Sequence, residues 1–264
     1  SSGAQSSCKT IVLLDEFSKT PVPYATVIYL PNSGGTYSNE QGVFKSLLSG
    51  SISISHISYQ SKTVELTTLT DTIYLQTRDH TLKDVLITVS KNSSKKKYKF
   101  SKGLKIIFTL PSFEIGTIIS KTNFRINEIL IPYKTSAFDN SLRLKLFSVH
   151  NGIPDELKHQ EVQVVHGSDQ LSHQFLRFNS DLTQYENLDS LFISVELMSD
   201  IINNGESFYE KENRIILYSH FKNETAHTLT TKNFEVTQRW SLLTSFLNPK
   251  RNPPNLTYII ESSQ

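Results

Sequence analysis

The side chains of this sequence best able to transfer protons or hold a metal are eight histidines and 25 carboxylates. His159, His166 and His173 recur every seven residues, and His220 and His227 repeat that interval. Strand ligands to one metal stand at i and i+2 and helical ones at i and i+4, so a spacing of seven converges only where loops fold back. Scattered surface and loop histidines are therefore expected, with no metal site and no cofactor. A glycosidase needs two carboxylates flanking one bond. Asp139, Asp155, Glu196 and Glu235 are candidates, but no spacing selects a pair. Glu196 stands apart because it interrupts an apolar run, where burial would raise its pKa. The competing reading is an outward-facing strand position. Serine, histidine and aspartate are all present without a nucleophile elbow. Zinc-protease, Walker, dinucleotide and EF-hand signatures are missing as well. No catalytic residue is selected, and a non-enzymatic chain is expected.

Binding residues are easier to nominate. Gly205-Glu206-Ser207-Phe208-Tyr209-Glu210 reads as a turn carrying two adjacent rings, and Gln238-Arg239-Trp240 sets the only tryptophan beside an arginine. Aromatic faces stack on sugar rings and anchor protein partners. Phe208, Tyr209, Arg239 and Trp240 are thus the candidate binding set. In the alternative, Trp240 belongs to a core and Phe208 or Tyr209 closes the end of a sandwich.

These residues must be positioned by strands. Short apolar runs at 11–14, 24–30, 43–48, 52–57, 63–66, 73–75 and 85–89 alternate with turn residues, the rhythm of a seven-stranded sandwich. Asn32-Ser33-Gly34-Gly35 and Asn39-Glu40-Gln41-Gly42 punctuate them with residues that tolerate positive φ. The lysine-rich stretch 91–99 cannot bury apolar area and reads as a linker. A basic patch for nucleic acid or anionic membrane is the sharper reading, but neither an aromatic platform nor an arginine fork accompanies it. Beyond the linker, Leu142-Arg143-Leu144-Lys145-Leu146 alternates apolar and basic residues, which predicts a strand with one solvated face. Residues 191–198 are apolar on both faces and predict a central strand. Residues 124–131, 215–218 and 234–236 add further strands, and 153–158 is compatible with a helical turn. The expected class is all-β: an Ig- or transthyretin-like sandwich over 9–90, a linker over 91–99, and a jelly-roll-like sandwich over 100–260.

Composition agrees. Of the 264 residues, 37% are hydrophobic and 20% charged, enough for two cores. With 27 basic and 25 acidic residues, no field forms that would capture nucleic acid. No apolar run is long enough to span a bilayer as a helix. Ser1 to Ser7 is small and polar, as expected just after signal cleavage or of a vector remnant. The lone Cys8 excludes an internal disulfide and reads as the start of a strand, with a lipid-modified cysteine as the alternative.

One spaced set of motifs is recognisable. Pro21-Val22-Pro23-Tyr24-Ala25-Thr26-Val27 precedes Thr36-Tyr37-Ser38-Asn39-Glu40-Gln41-Gly42-Val43-Phe44; Ile52-Ser53-Ile54-Ser55-His56-Ile57-Ser58-Tyr59 and Leu82-Lys83-Asp84-Val85-Leu86-Ile87 follow. Together they resemble the carboxypeptidase regulatory-like domain of exported Bacteroidetes proteins, except that Ser58 stands where that family has glycine. Residues 143–149, Gly152-Ile153-Pro154 and 191–197 are similar to an uncharacterised sandwich that follows this domain in such proteins. Asp71-Thr72-Ile73 and Asp189-Ser190-Leu191 resemble O-glycosylation triplets of the same bacteria. The resemblance implies a non-catalytic exported accessory or adhesion protein, periplasmic or on the outer-membrane surface, docking to an envelope protein partner. A carbohydrate-binding surface module is the alternative, and a hydrolase with an unfamiliar acid pair is the third reading.

Overall fold

The computed structural model describes residues 8–30, 34–47, 50–67, 70–78, 105–108, 113–120, 125–135, 140–165, 174–178, 182–185, 187–198, 215–220, 228–232, 240–242, 255–256 and 259–263. The chain is all-β, with one short 3-10 turn at Leu182–Tyr185 among the described residues. The strand expected at 85–89 and the linker at 91–99 lie outside them.

Among the described residues, seven strands build the N-terminal part: β1 (Cys8–Asp15), β2 (Thr26–Leu30), β3 (Gly35–Tyr37), β4 (Val43–Leu47), β5 (Gly50–His56), β6 (Tyr59–Leu66) and β7 (Thr72–Leu75). One sheet runs β4-β1-β7, in which β1 is antiparallel to β4 and parallel to β7. The other is antiparallel in the order β3-β2-β5-β6. Alternate residues of both face inward, so Ile11, Leu13, Ala25, Val27, Phe44, Ile52, Ile54 and Leu75 share one buried core. Ala25 and Val27 are fully buried, and Phe44 is 3% exposed. Gly42 has φ of 71°, and a Cβ there would press on the Leu13 carbonyl. Ser58 is not among the non-glycine residues with positive φ, which are Lys19, Tyr24 and Asn151, so serine closes the β5–β6 turn without strain.

The C-terminal part contains β8 (Lys105–Phe108), β9 (Phe113–Ser120), β10 (Arg125–Thr135), β11 (Asn140–His150), β12 (Ile153–Val165), β13 (Gln174–Arg177), β14 (Ser190–Met198), β15 (Ile215–His220), β16 (Thr228–Lys232), β17 (Ser241–Leu242), β18 (Asn255–Leu256) and β19 (Ile259–Ser263). One six-stranded sheet runs β12-β11-β14-β9-β16-β17; the other joins β13, β10, β15 and β18, with β19 on β10 and β8 on β15. Leu142, Leu144, Leu146, Ile193, Val195 and Leu197 of the first sheet pack on Ile129, Ile131, Leu176, Phe178 and Leu217 of the second. This is a sandwich with a core separate from the N-terminal one.

Two expectations are corrected. Residues 153–158 form no helical turn: Asn151 and Gly152, at φ of 52° and 75°, make a two-residue hairpin between β11 and β12, and the chain continues extended. Pro154 is accommodated because β12 is the edge of its sheet among the described residues. The second correction concerns β11. Its basic residues do not face solvent: Arg143 is 2% exposed and Lys145 6%. The central position expected for β14 does hold, since it pairs with β11 on one side and β9 on the other and is buried on both faces.

Candidate functional site

The outer face of the β11-β14-β9 sheet carries three cross-strand rows. Arg143 lies opposite Glu196, which lies opposite Glu114; Lys145, Ser194 and Gly116 form the next row, and Phe147, Phe192 and Ile118 the third. A sandwich ordinarily leaves such a face in water. Here Glu114 and Ser194 are fully buried, and Glu196 is 1% exposed.

The N-terminal sandwich covers the first row. Arg143 Nη1 donates to Thr26 Oγ1 at 2.8 Å, and Nη2 donates to the Tyr24 carbonyl. The Tyr37 ring stacks over the same guanidinium, 5.0 Å from its centroid, and its hydroxyl donates to Glu196 Oε1. Met198 and Tyr37 form a small buried cluster with Tyr24, Ile28 and Val162 around them. Arginine suits this role, because its planar fork serves a carbonyl, a hydroxyl and a carboxylate at once. Its other contact is Glu196 Oε2 at 3.5 Å.

Beneath that cover, Lys145 Nζ sits 2.7 Å from Glu114 Oε2 and 2.8 Å from Glu196 Oε2. The Ser194 hydroxyl donates to Glu114 Oε1. Two cations thus face two anions, and the buried cluster is neutral as a whole. Burial pushes the Glu114 carboxyl above its ordinary range, and Lys145 offsets this only in part. Burial acts on Glu196 in the same sense, but Lys145, Arg143 and the Tyr37 hydrogen bond outweigh it and hold Glu196 low. The expectation that burial would raise Glu196 is therefore reversed, and the raised carboxyl is its cross-strand neighbour. Burial opposes the Lys145 ammonium, yet its two carboxylates lift its pKa above the usual lysine value. Burial, then the Glu196 charge, drives the Tyr37 phenol well above its usual value. His56, on the N-terminal side, is lowered to about 4 by burial and by Arg143.

The arrangement is a split acid pair with an amine between its members. Neither carboxylate meets solvent, and the pair lies where the two sandwiches join.

Beside this seam, a cleft of about 340 Å³ follows the joint, with Tyr24, Asn39, Glu40 and Lys45 on one wall and Ser141 and Met198 on the other. Tyr24 adopts φ of 58°, uncommon for a bulky residue. Three bonds hold it there: its N–H donates to the Ser38 carbonyl at 3.0 Å, its carbonyl receives Arg143, and its hydroxyl donates to Glu40 Oε1 at 3.0 Å. One wall of the cleft is therefore set in part by an arginine from the opposite sandwich.

Of the residues nominated from sequence, Glu196 belongs to the seam, and the other described ones lie elsewhere. Trp240 is half-buried and meets Phe192 and Phe147 edge-on, at centroid distances of 4.7 and 5.8 Å. Phe208, Tyr209 and Arg239 lie outside the described residues, as do Asp139, Glu235, His166, His173 and His227. Asp155 is exposed on β12. His159 lies on the same strand, with Nε2 3.4 Å from Glu161 Oε2. Among the described residues no three of His, Cys, Asp and Glu stand together as metal ligands. Nor is any described helix long and apolar enough to cross a membrane. Sequence reasoning passed over Tyr37, Thr26 and Glu114 and assigned Arg143 and Lys145 to solvent. The available signal was β14 itself, because a strand apolar on both faces requires a cover that its neighbours share. Neither a protein-family model nor a curated protein matches the chain in sequence.

Proposed function

We propose that the chain is a non-catalytic exported accessory protein of the bacterial outer membrane or periplasm, docking to a protein partner in an envelope assembly. The seam is the observation that carries this reading. The groups best able to do acid–base chemistry join the two sandwiches, while the surface made by joining them is an open cleft of mixed polarity. A wall fixed by Arg143 and by the bonds to Tyr24 is ordered before any partner arrives, which lowers the entropy lost on binding. The likeness of residues 21–87 to carboxypeptidase regulatory-like domains supports an accessory role, with the N-terminal sandwich as spacer and docking surface.

A glycan is the second reading. The cleft sets the Tyr24 ring beside Asn39, Glu40 and Lys45, and hydroxyl-rich ligands are held by such a ring with donors and acceptors at its edge. The purified chain, immobilised against solubilised envelope fractions, is expected to retain a stoichiometric protein that the double variant Glu40→Lys with Lys45→Glu releases. Retention of no protein overturns the docking reading. A glycan array with hits lost in the same variant would favour the second.

A further inference from the structure

Three groups of the seam stand at reaction distance where bulk water does not reach. Lys145 Nζ is 2.7 Å from Glu114 Oε2 and 2.8 Å from Glu196 Oε2, and the three residues are 6%, 0% and 1% exposed. The second oxygen of Glu114 is held by the Ser194 hydroxyl. A primary amine fixed against a carboxyl, with a second carboxylate at hand to move protons, is the constellation for amide formation.

We propose that Lys145 and Glu114 condense to an intramolecular isopeptide bond, with Glu196 relaying the proton. A proton passes from the Lys145 ammonium through Glu196 to Glu114 Oε2, leaving a neutral amine beside a neutral carboxylic acid. The Nζ lone pair adds to Cδ of Glu114, and the Ser194 hydroxyl holds Oε1 as negative charge develops on it. Nζ then releases a second proton to Oε2, the Cδ–Oε2 bond breaks, and that oxygen departs as water. One ammonium and one carboxylate become one secondary amide and one water, and no oxidant or outside reactant takes part.

The surroundings favour this outcome. Two reactants held in contact have effective molarities of about 10⁵ M or more when well oriented. A buried ion pair carries a desolvation penalty that a neutral amide does not. Condensation removes one charge of each sign, and the Arg143–Glu196 pair that remains is itself balanced at 3.5 Å. The two carboxyls are also differentiated as the roles require: burial favours the neutral acid at Glu114, while Lys145, Arg143 and Tyr37 keep Glu196 ionised. The ammonium is the favoured form of Lys145, so the rate is limited by the scarce neutral amine. The product ties β11 to β9 across the central strand β14.

The test is the intact mass of the full chain, denatured after prolonged incubation in its folded state at neutral pH. The expected value is about 18 Da below the sequence mass, one water, with a branched proteolytic peptide joining residues 145 and 114. Glu196→Gln keeps both bonding partners but lacks the proton acceptor, and is expected to retain its full mass. A wild-type chain at full mass overturns the proposal, and so does a water loss without the branched peptide. A Glu196→Gln chain that still forms the branch overturns the relay.

Discussion

Tyr37 and Glu196 are 159 residues apart in sequence, and the phenol of one donates a hydrogen bond to the buried carboxylate of the other. The bond is a direct contact between the two sandwiches made by a side chain that a sequence reader would place in a hairpin. Tyr37→Phe keeps the ring over Arg143 and removes only the donor. A buried carboxylate deprived of one hydrogen bond costs about 1–3 kcal/mol. Urea unfolding of the single variants and of Tyr37→Phe with Glu196→Gln closes a double-mutant cycle. A coupling near zero would show that the contact contributes nothing.

Arg143 is the broader link, reaching Thr26, Tyr24, Tyr37 and Glu196 from one side chain. Arg143→Ala leaves buried carboxylates short of a cation, a change that costs about 3–5 kcal/mol. Arg143→Lys restores the charge but not the fork, so an intermediate loss is expected. Since the lost contacts cross between the sandwiches, calorimetry of Arg143→Ala should resolve two unfolding transitions at different temperatures. Coincident transitions with an unchanged midpoint would refute the assignment.

Part of the inner face of each sandwich was legible. Leu142, Leu144 and Leu146 announce their side of β11, and Ala25, Val27, Phe44, Ile52 and Ile54 announce the N-terminal core. A period of two shows which residues share a face, but not what lies against it. Arg143 and Lys145 therefore read as solvated, although Tyr24, Thr26 and Tyr37, more than a hundred residues earlier, cover Arg143 and its row. Asn151-Gly152 illustrates a different failure. This pair is a strong hairpin signal, and a two-residue turn there sends the chain straight back as β12, which leaves no room for a helical turn over 153–158. The pairing of Glu114 with Lys145 had no local signature. It depends on β9 and β11 flanking the same strand, which is a matter of topology.

Gly116 supplies a test of packing rather than charge. It stands opposite Ser194, and a Cβ on it would overlap the Ile193 carbonyl oxygen and the Phe192 ring. Gly116→Ala is expected to destabilise the chain by about 1–3 kcal/mol, the range for overpacking a core. Phe192→Leu in the same chain should recover part of the loss. The carbonyl belongs to the backbone and cannot move aside as a side chain can. Thermal midpoints of the two variants check this, and full recovery would mean that the ring alone made the clash.

His56 reports on the seam from the N-terminal side. Its Nδ1 accepts a hydrogen bond from the Ser58 N–H at 3.1 Å, so protonation there would sacrifice that bond. Burial, and then the Arg143 charge, lower its pKa to about 4. In the unfolded chain the same imidazole titrates near its ordinary value, about 6.5. Between those two values the unfolded chain binds more protons than the folded one. The His56 contribution to stability is thus fully present above the unfolded pKa, is lost as pH falls through this window, and levels off below about 4. An NMR titration of the histidine ring protons should find the midpoint near 4 in the wild type. Arg143→Gln removes the like charge but leaves the burial, the larger cause, so the midpoint should rise without reaching the ordinary value. A midpoint unmoved by Arg143→Gln would show that the guanidinium does not act on His56 across the joint.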